Sequence, residues 1–398
     1  MAAAPASPTE IVGWRGDGTG RYPAATMPLQ WDGEEGKNIL WQTKVGKGQS
    51  VPLAAGGRVF VTAEPDLLTC LDLADGRVLW TQPNGYASLP AGAATPKEPP
   101  PTSPQCGYSA PSPVTDGKQV YASYGTGVVV AYDSDGKRRW VRHLDLPLVT
   151  QYGRSVSPVI VDGKLLVGIG GVVALDPKTG ETLWQTPEAK PTYGTPAVAR
   201  IGDVTVVFTP NGDCLRVGDG KVLARKLAKT TYTSPLVANG VLYYGDAPVS
   251  AFKLPDRAGD TIKPASLWDN DDVEGELFAS PLLHEGILYV ATNEGVLFTI
   301  EAETGKTIYK KELEIRAASG KPGAEPANIY PSVTLAGKHI LVSNDVGESL
   351  VLEPGREYKQ VGRNDLAKGS GASLVPEGRF LVLRGADKVF CIGSKTNQ

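Results

Sequence analysis

Histidine and cysteine are scarce in this chain, at three and four residues in 398, with no two cysteines adjacent and no C-x-x-C-H run. A covalently attached haem, and with it an electron outlet carried in the same chain, is thereby excluded. No stretch approaches the roughly 20 consecutive apolar residues of a bilayer span, so no membrane span is expected. Met1 to Glu10 has neither a basic nor an apolar signal-peptide region. Its Ala/Pro/Ser-rich make-up resembles the stretch that follows a removed signal peptide, so a secreted or periplasmic protein is expected. The formal net charge of −3 gives no electrostatic footprint for nucleic acid or an anionic membrane surface.

Glycine (47) and proline (32) are plentiful while charged residues are an ordinary 21%. Many short strands joined by tight turns follow from such a balance. The strands fall into a repeat, clearest in Ser155 to Trp184, SVSPVIVDGKLLVGIGGVVALDPKTGETLW. Strand A occupies Ser157 to Val161, strand B Leu165 to Ile169, strand C Val172 to Asp176, and strand D ends on Trp184. Turns at Asp162-Gly163, Gly170-Gly171 and Thr179-Gly180 separate them. The same grammar recurs over 51–80, 109–140, 194–225, 233–268, 279–309 and 331–361, with strand A often opening on Ser-Pro or Thr-Pro. Residues 371–393 supply only strands A to C of a further copy, and Asn38 to Val45, within 38–46, reads as an outer strand without a blade. The expectation is an all-β, eight-bladed β-propeller of four-stranded antiparallel blades over 38–398, its last blade closed by the N-terminal strand. Such closure leaves no sheet edge unpaired. Residues 1–37 are then a leader packing on the propeller.

The consensus A-x-D-x-x-T-G-x-x-x-W is met in full by Ala174, Asp176, Thr179, Gly180 and Trp184. Cys70, Asp72, Asp75, Gly76 and Trp80 keep the spacing; Ala131, Asp133, Gly136 and Trp140 shorten it by one residue; Thr299, Glu301, Thr304, Gly305 and Tyr309 soften it. On these residues the chain resembles the PQQ-type, quinoprotein-like propellers built from a tryptophan-docking repeat, over nearly its whole length from Asn38. The leader Trp14 to Gly20 (WRGDGTG) resembles that of uncharacterised secreted bacterial members. The family includes quinoprotein dehydrogenases and the propeller lipoprotein of the outer-membrane β-barrel assembly machinery, so the resemblance implies a fold more than an activity. In the dehydrogenases it implies PQQ over the axis, clamped between a tryptophan and a disulfide of adjacent cysteines, with carboxylate and amide ligands for a metal. Without adjacent cysteines no cofactor is expected here, PQQ with calcium being the alternative. Trp41, Trp80, Trp140, Trp184 and Trp268 are expected to wedge between sheets. Cys70, Cys214 and Cys391 share the strand-C position of Ala131, Ala174 and Ala251 and are expected to be small buried residues.

In a propeller the D-to-A connections and B-to-C turns open on one face. Here the former carry Tyr108, Tyr152, Tyr193, Tyr232, Phe278 and Tyr330, and the latter Asp213, Asp246, Asn293 and Asn344 beside Asp66, Asn211, Glu294 and Asp345. Rings surrounded by acids and amides suit a carbohydrate or another polar small molecule. Asn and Asp are equally ordinary turn formers, and an aromatic there can pack beneath the next blade. Arg154 stands where other blades offer Ser, Thr or Gly, and is expected to face a shared solvent-filled pocket with Tyr152, Tyr193, Tyr232 and Tyr330, free to pair an anion or else tied to Asp213 or Asp246 across the ring. With Tyr152 and His143 it also outlines the base, acid and carboxylate clamp of a lyase. Two D-to-A insertions, Gln82 to Gly107 and Glu312 to Asn328, rise over this face as a lid or a spacer. These features describe a non-catalytic ligand-binding or protein-interaction scaffold whose partner is a polar small molecule, a carbohydrate or a protein. A PQQ-dependent dehydrogenase or a carbohydrate-active lyase is the alternative.

Overall fold

The computed structural model describes residues 11–315 and 327–394. It is a ring of eight four-stranded antiparallel meanders, one of them joined by an extra leader strand. The described residues contain a single helical turn, Tyr86–Ser88, and no helix long and apolar enough to cross a membrane. The middle strands B and C of each blade are mostly buried; Val128–Asp133, for instance, is buried except at its last residue, whereas the outer Arg138–His143 is half open. Apolar β-branched residues therefore gather in the middle strands and charged residues on the outermost. Ile39–Lys44 pairs antiparallel with Lys388–Ile392 and completes the eighth blade, so the first and last segments of the chain share one sheet.

The registers show what the repeated tryptophans do. Trp41, Trp80, Trp140, Trp184 and Trp268 stand opposite Cys391, Cys70, Ala131, Ala174 and Ala251. Each indole N–H donates across the junction to a carbonyl of the next blade: Leu73, Ser134, Pro177, Val217 and Ala302, at 2.8 to 3.1 Å. Each ring also lies on a glycine of that blade, namely Gly76, Gly136, Gly180, Gly220 and Gly305, where a β-carbon would come within 2.5 or 2.6 Å of the indole. The glycine in one blade's consensus is thus required by the tryptophan of the blade before it. The same register puts Ala224 and Gly362, rather than Arg225 and Val361, at the tryptophan position of blades 4 and 7.

Three junctions lack that indole and are filled otherwise. Tyr309 occupies the position in blade 6 and stands edge-on to Tyr358 of blade 7, with centroids 6.4 Å apart. Beside Ala224, the long C-to-D connection of blade 5 folds back and packs Leu254, Ala258 and Ile262 into the gap. Between blades 7 and 8 the filler is the leader itself: Trp31, 2% exposed, packs among Leu341, Val351, Leu366, Leu374 and Leu381.

Around the axis the first strands are tied by a relay of hydroxyls. The backbone N–H of Val51 donates to Ser112 Oγ, that of Ser112 to Ser157, Ser157 to Thr195, Thr195 to Ser234, Ser234 to Ser280, Ser280 to Ser332 and Ser332 to Ser373, all within 2.8 to 3.3 Å. The Ser-Pro and Thr-Pro openings thus satisfy a buried amide of the preceding blade, worth about 1 kcal/mol per bond. Blade 1 has Val51 at this position and cannot receive the bond from blade 8.

Candidate functional site

The six aromatic-bearing connections that precede strand A do not behave alike. From blade 3 to blade 7 their aromatic residues form one continuous arc: ring centroids lie 5.8 Å apart for Tyr152 and Tyr193, 5.4 Å for Tyr193 and Tyr232, 4.3 Å for Tyr232 and Phe278, and 4.9 Å for Phe278 and Tyr330. Tyr193 Oη accepts the Tyr152 N–H at 3.0 Å, which locks one end. Tyr152 is 40% exposed and the other rings are half-buried. Burial raises the Tyr232 and Tyr330 phenols above their ordinary range, Tyr152 and Glu276 adding to the first and Asp345 and Glu276 to the second. At neutral pH the arc is a strip of neutral rings with carboxylates beside it.

Tyr108 stands apart from the arc. Its hydroxyl donates to Pro100 O at 3.0 Å, and Glu64 accepts its backbone N–H. The insertion that begins at Gln82 folds over blades 1 to 3 and ends against the arc. Thr102 and Ser103 donate to Tyr152 O, Tyr86 packs edge-on against His143 with centroids 5.2 Å apart, and His143 Nδ1 meets Ala94 O at 3.1 Å. Tyr86, which no repeat position marks, is thus a pin for this loop. Of the second insertion, 316–326 lies outside the described residues.

Arg154 departs from the expectation of a free guanidinium. It is buried, donating to the carbonyls of Gly125 (2.9 Å) and Leu146, and burial lowers its pKa. The guanidinium ties the B-to-C turn of blade 2 to the connection that follows that blade, and as a buried group it is not part of the arc's exposed surface. The B-to-C turn of blade 2 and the connection leading from its strand D offer carbonyls that only the folded chain brings within reach. His143, bound to the insertion, is likewise no free base beside Tyr152.

The polar turn residues are bonded to their own turns or to neighbouring connections. Asp246 accepts the N–H groups of Thr231 (2.9 Å) and Ala247 (3.0 Å). Asn293 donates to Asn328 and accepts from the Ile329 N–H. Asn344, buried, accepts from the N–H groups of Val346, Gly347 and Glu348 and donates to Ile315 O and Glu348. Asp213 is buried too; desolvation raises its pKa, opposed by Arg225. It lies at a different sector from Arg154, and no ion pair joins them.

Below the mouth the axis is filled by the leader. Val12 bridges Thr115 on the inner strand of blade 2, and Arg21–Tyr22 runs parallel to the inner strand of blade 7, Thr334–Ala336. Between them Arg15, 3% exposed, donates through Nη2 to Val333 O of blade 7 at 2.7 Å and to Pro281 O of blade 6 at 3.0 Å. Desolvation lowers this guanidinium to about 10. The leader therefore packs inside the propeller as well as on it.

The donor set of a metal and quinone site is not assembled. All four cysteines are free and buried, and Cys70, Cys214 and Cys391 sit between sheets in three separate blades. Among the described residues no group of three or more His, Cys, Asp or Glu converges as metal ligands would. The residues present do not fit the clamp of the dehydrogenases.

The family profile described as outer membrane protein assembly factor BamB matches residues 32–264. The outer membrane protein assembly factor BamB of Yersinia pestis is 23% identical over 328 residues, covering 76% of this chain and 76% of that protein. Its counterpart from Xanthomonas campestris is 30% identical over 215 residues, 52% of this chain and 48% of that one. Among solved structures, BamB from Moraxella catarrhalis has a TM-score of 0.61 at 14% identity, covering 90% and 99% of the two chains. A europium-containing methanol dehydrogenase has a TM-score of 0.62 at 13% identity, covering 96% and 98%. At such identities the structural likeness extends to the fold alone, and both a BamB and an enzyme share it. The sequence profile spans more than half of the chain, and the chain belongs to the BamB family of PQQ-like β-propellers.

Proposed function

We propose that this protein is a non-catalytic protein-interaction scaffold serving outer-membrane protein assembly, that it works in the periplasm, and that the aromatic arc is its working face. The observation that carries the reading is the contiguity of Tyr152, Tyr193, Tyr232, Phe278 and Tyr330 across five blades. Tyrosine supplies large contact area with few rotatable bonds, which is why it anchors protein interfaces. Family membership points the same way, since the matched profile is that of an assembly factor. Arg154, the cation that an acidic small ligand would need, is bonded to backbone carbonyls, which favours a protein partner over an anionic sugar.

The test is a replacement of the gene in its host by a Tyr232→Ala/Phe278→Ala variant whose Tm has been checked in vitro. Steady-state levels of outer-membrane β-barrel proteins should fall toward those of the deletion strain. Wild-type levels in the double variant, set against reduced levels in the deletion strain, would remove the arc from the working surface.

A further inference from the structure

The arc does not run through neutral surroundings. Between Asp269 and Glu276, just before Phe278, the chain carries five acids, Asp269, Asp271, Asp272, Glu274 and Glu276, and no base. Glu294, from the next blade, lays its carboxylate over this connection: Oε1 accepts the Glu276 N–H at 3.3 Å, and a β-carbon on Gly275 would meet Oε2 at 2.3 Å. Asp345 stands beside Tyr330, and Asp246 and Asp269 line the cleft between blades 4 and 5 together with Lys229. Among the described residues, none of Asp246, Asp271, Glu274, Glu276, Glu294 and Asp345 belongs to an ion pair, although twelve pairs exist elsewhere.

We propose that the partner segment docking on this arc is basic, placing Lys or Arg side chains along Tyr232, Phe278 and Tyr330 with their charged ends at Glu276 and Glu294. The inference rests on the scaffold reading above and names the chemistry of its partner. Three physical effects converge on it. Unpaired carboxylates at the edge of an apolar strip act in a lower effective dielectric than open water, so an arriving cation gains more there than at an ordinary surface. The methylene stems of Lys and Arg cover ring surface while their heads reach the acids. Phenol rings also attract a cation placed over an open face. An acidic segment would meet repulsion at every one of these positions.

Fluorescence anisotropy on the full chain tests this with three labelled peptides that share one apolar framework and differ only in carrying Arg, Gln or Glu at the same positions. The Arg peptide should bind tighter than the Gln peptide by on the order of tenfold at low ionic strength, with the difference shrinking as salt is raised. Glu276→Lys, whose wild-type side chain is exposed, should weaken the Arg peptide by on the order of tenfold or more at unchanged Tm. Tyr232→Ala should weaken the Arg and Gln peptides alike. Equal binding of Arg and Gln peptides, preference for Glu, indifference to Glu276→Lys, or no binding at all would overturn the basic partner. Loss of the Gln peptide in Tyr232→Ala would still support the arc as a docking face in the first of these cases, and the host replacement above judges that face independently.

Discussion

Arg384 on blade 8 donates through Nη1 to the Thr62 carbonyl of blade 1 at 2.7 Å, across the one junction that the hydroxyl relay cannot bridge. The same guanidinium donates to Ser50 Oγ and Gly46 O, both at 2.9 Å. Blade 1 has Val51 in place of the accepting hydroxyl, and an arginine from the last blade ties this junction with donor bonds of its own. Burial lowers Arg384 to about 10, with the charge of Glu64 opposing the shift, so it remains a cation at neutral pH.

Arg384→Met should therefore lower the free energy of unfolding by about 2 to 3 kcal/mol, the cost of leaving buried acceptors without donors less the relieved desolvation of the charge. Arg384→Lys should recover little, because one ammonium cannot span acceptors that a planar fork reaches together. Urea titration followed by tryptophan fluorescence checks both. Wild-type stability in the Met variant would mean that the junction closes by packing alone.

Trp31 replaces a blade's own tryptophan, since Gly362 leaves the position opposite Val351 empty. Its truncation to Ala should cost about 3 to 5 kcal/mol, as for a buried aromatic in a core that cannot collapse. Removal of residues 1–46 should cost more, because strand D of blade 8, the axial Arg15 and Trp31 all leave with it. A chain lacking that segment and melting at the wild-type temperature would contradict the closure seen here.

Two glycines separate backbone conformation from close approach. Gly163 has φ +68° with nothing within 4 Å of a built β-carbon, whereas Gly220 has φ +75° and would place its β-carbon 2.5 Å from the Trp184 ring. Gly163→Ala should cost about 1 kcal/mol for the left-handed backbone alone. Gly220→Ala should cost roughly 3 kcal/mol or more, since the indole must also move. Equal losses in thermal melts would mean that the tryptophan gives way freely.

The buried thiols predict alkaline behaviour. Burial raises Cys70 to about 11 and Cys214 and Cys391 to about 12, from an ordinary value of 9.0. The unfolded thiols ionise first, so their contribution is fully present below pH 9 and is lost as pH rises through 11 to 12. A Cys70→Ala/Cys214→Ala/Cys391→Ala chain should fold, as Ala already holds this position in blades 2, 3 and 5, and its urea midpoint should fall less steeply over that range. An identical pH slope in both chains would mean that the thiols do not titrate differently on unfolding.

Repeat grammar made much of this molecule legible from the residues alone. Turn glycines, alternating apolar strands and the orphan strand at Asn38 to Val45 imply eight blades and their closure, because each acts within a few residues or through a pattern repeated many times. Even there, Arg225 and Val361 lie one residue from the tryptophan register: Ala224 keeps the spacing of the tryptophan-bearing blades, and the C-to-D hairpin of blade 7 is one residue longer, which brings Gly362 opposite Val351. The tyrosines of the arc were visible as a positional series, but their mutual contact was not.

The sequence by itself determined the all-β class, the blade count, the small residue opposite each tryptophan and the aromatic series along the D-to-A connections. Only the tertiary structure decided that the leader enters the axis, that Trp31 fills a junction some 330 residues away along the chain, that Arg384 closes the ring and that Arg154 is buried. The division has a physical cause. A strand or turn is specified by its own neighbours, whereas a guanidinium or an indole finds its partners among carbonyls and cavities that exist only once distant segments have packed.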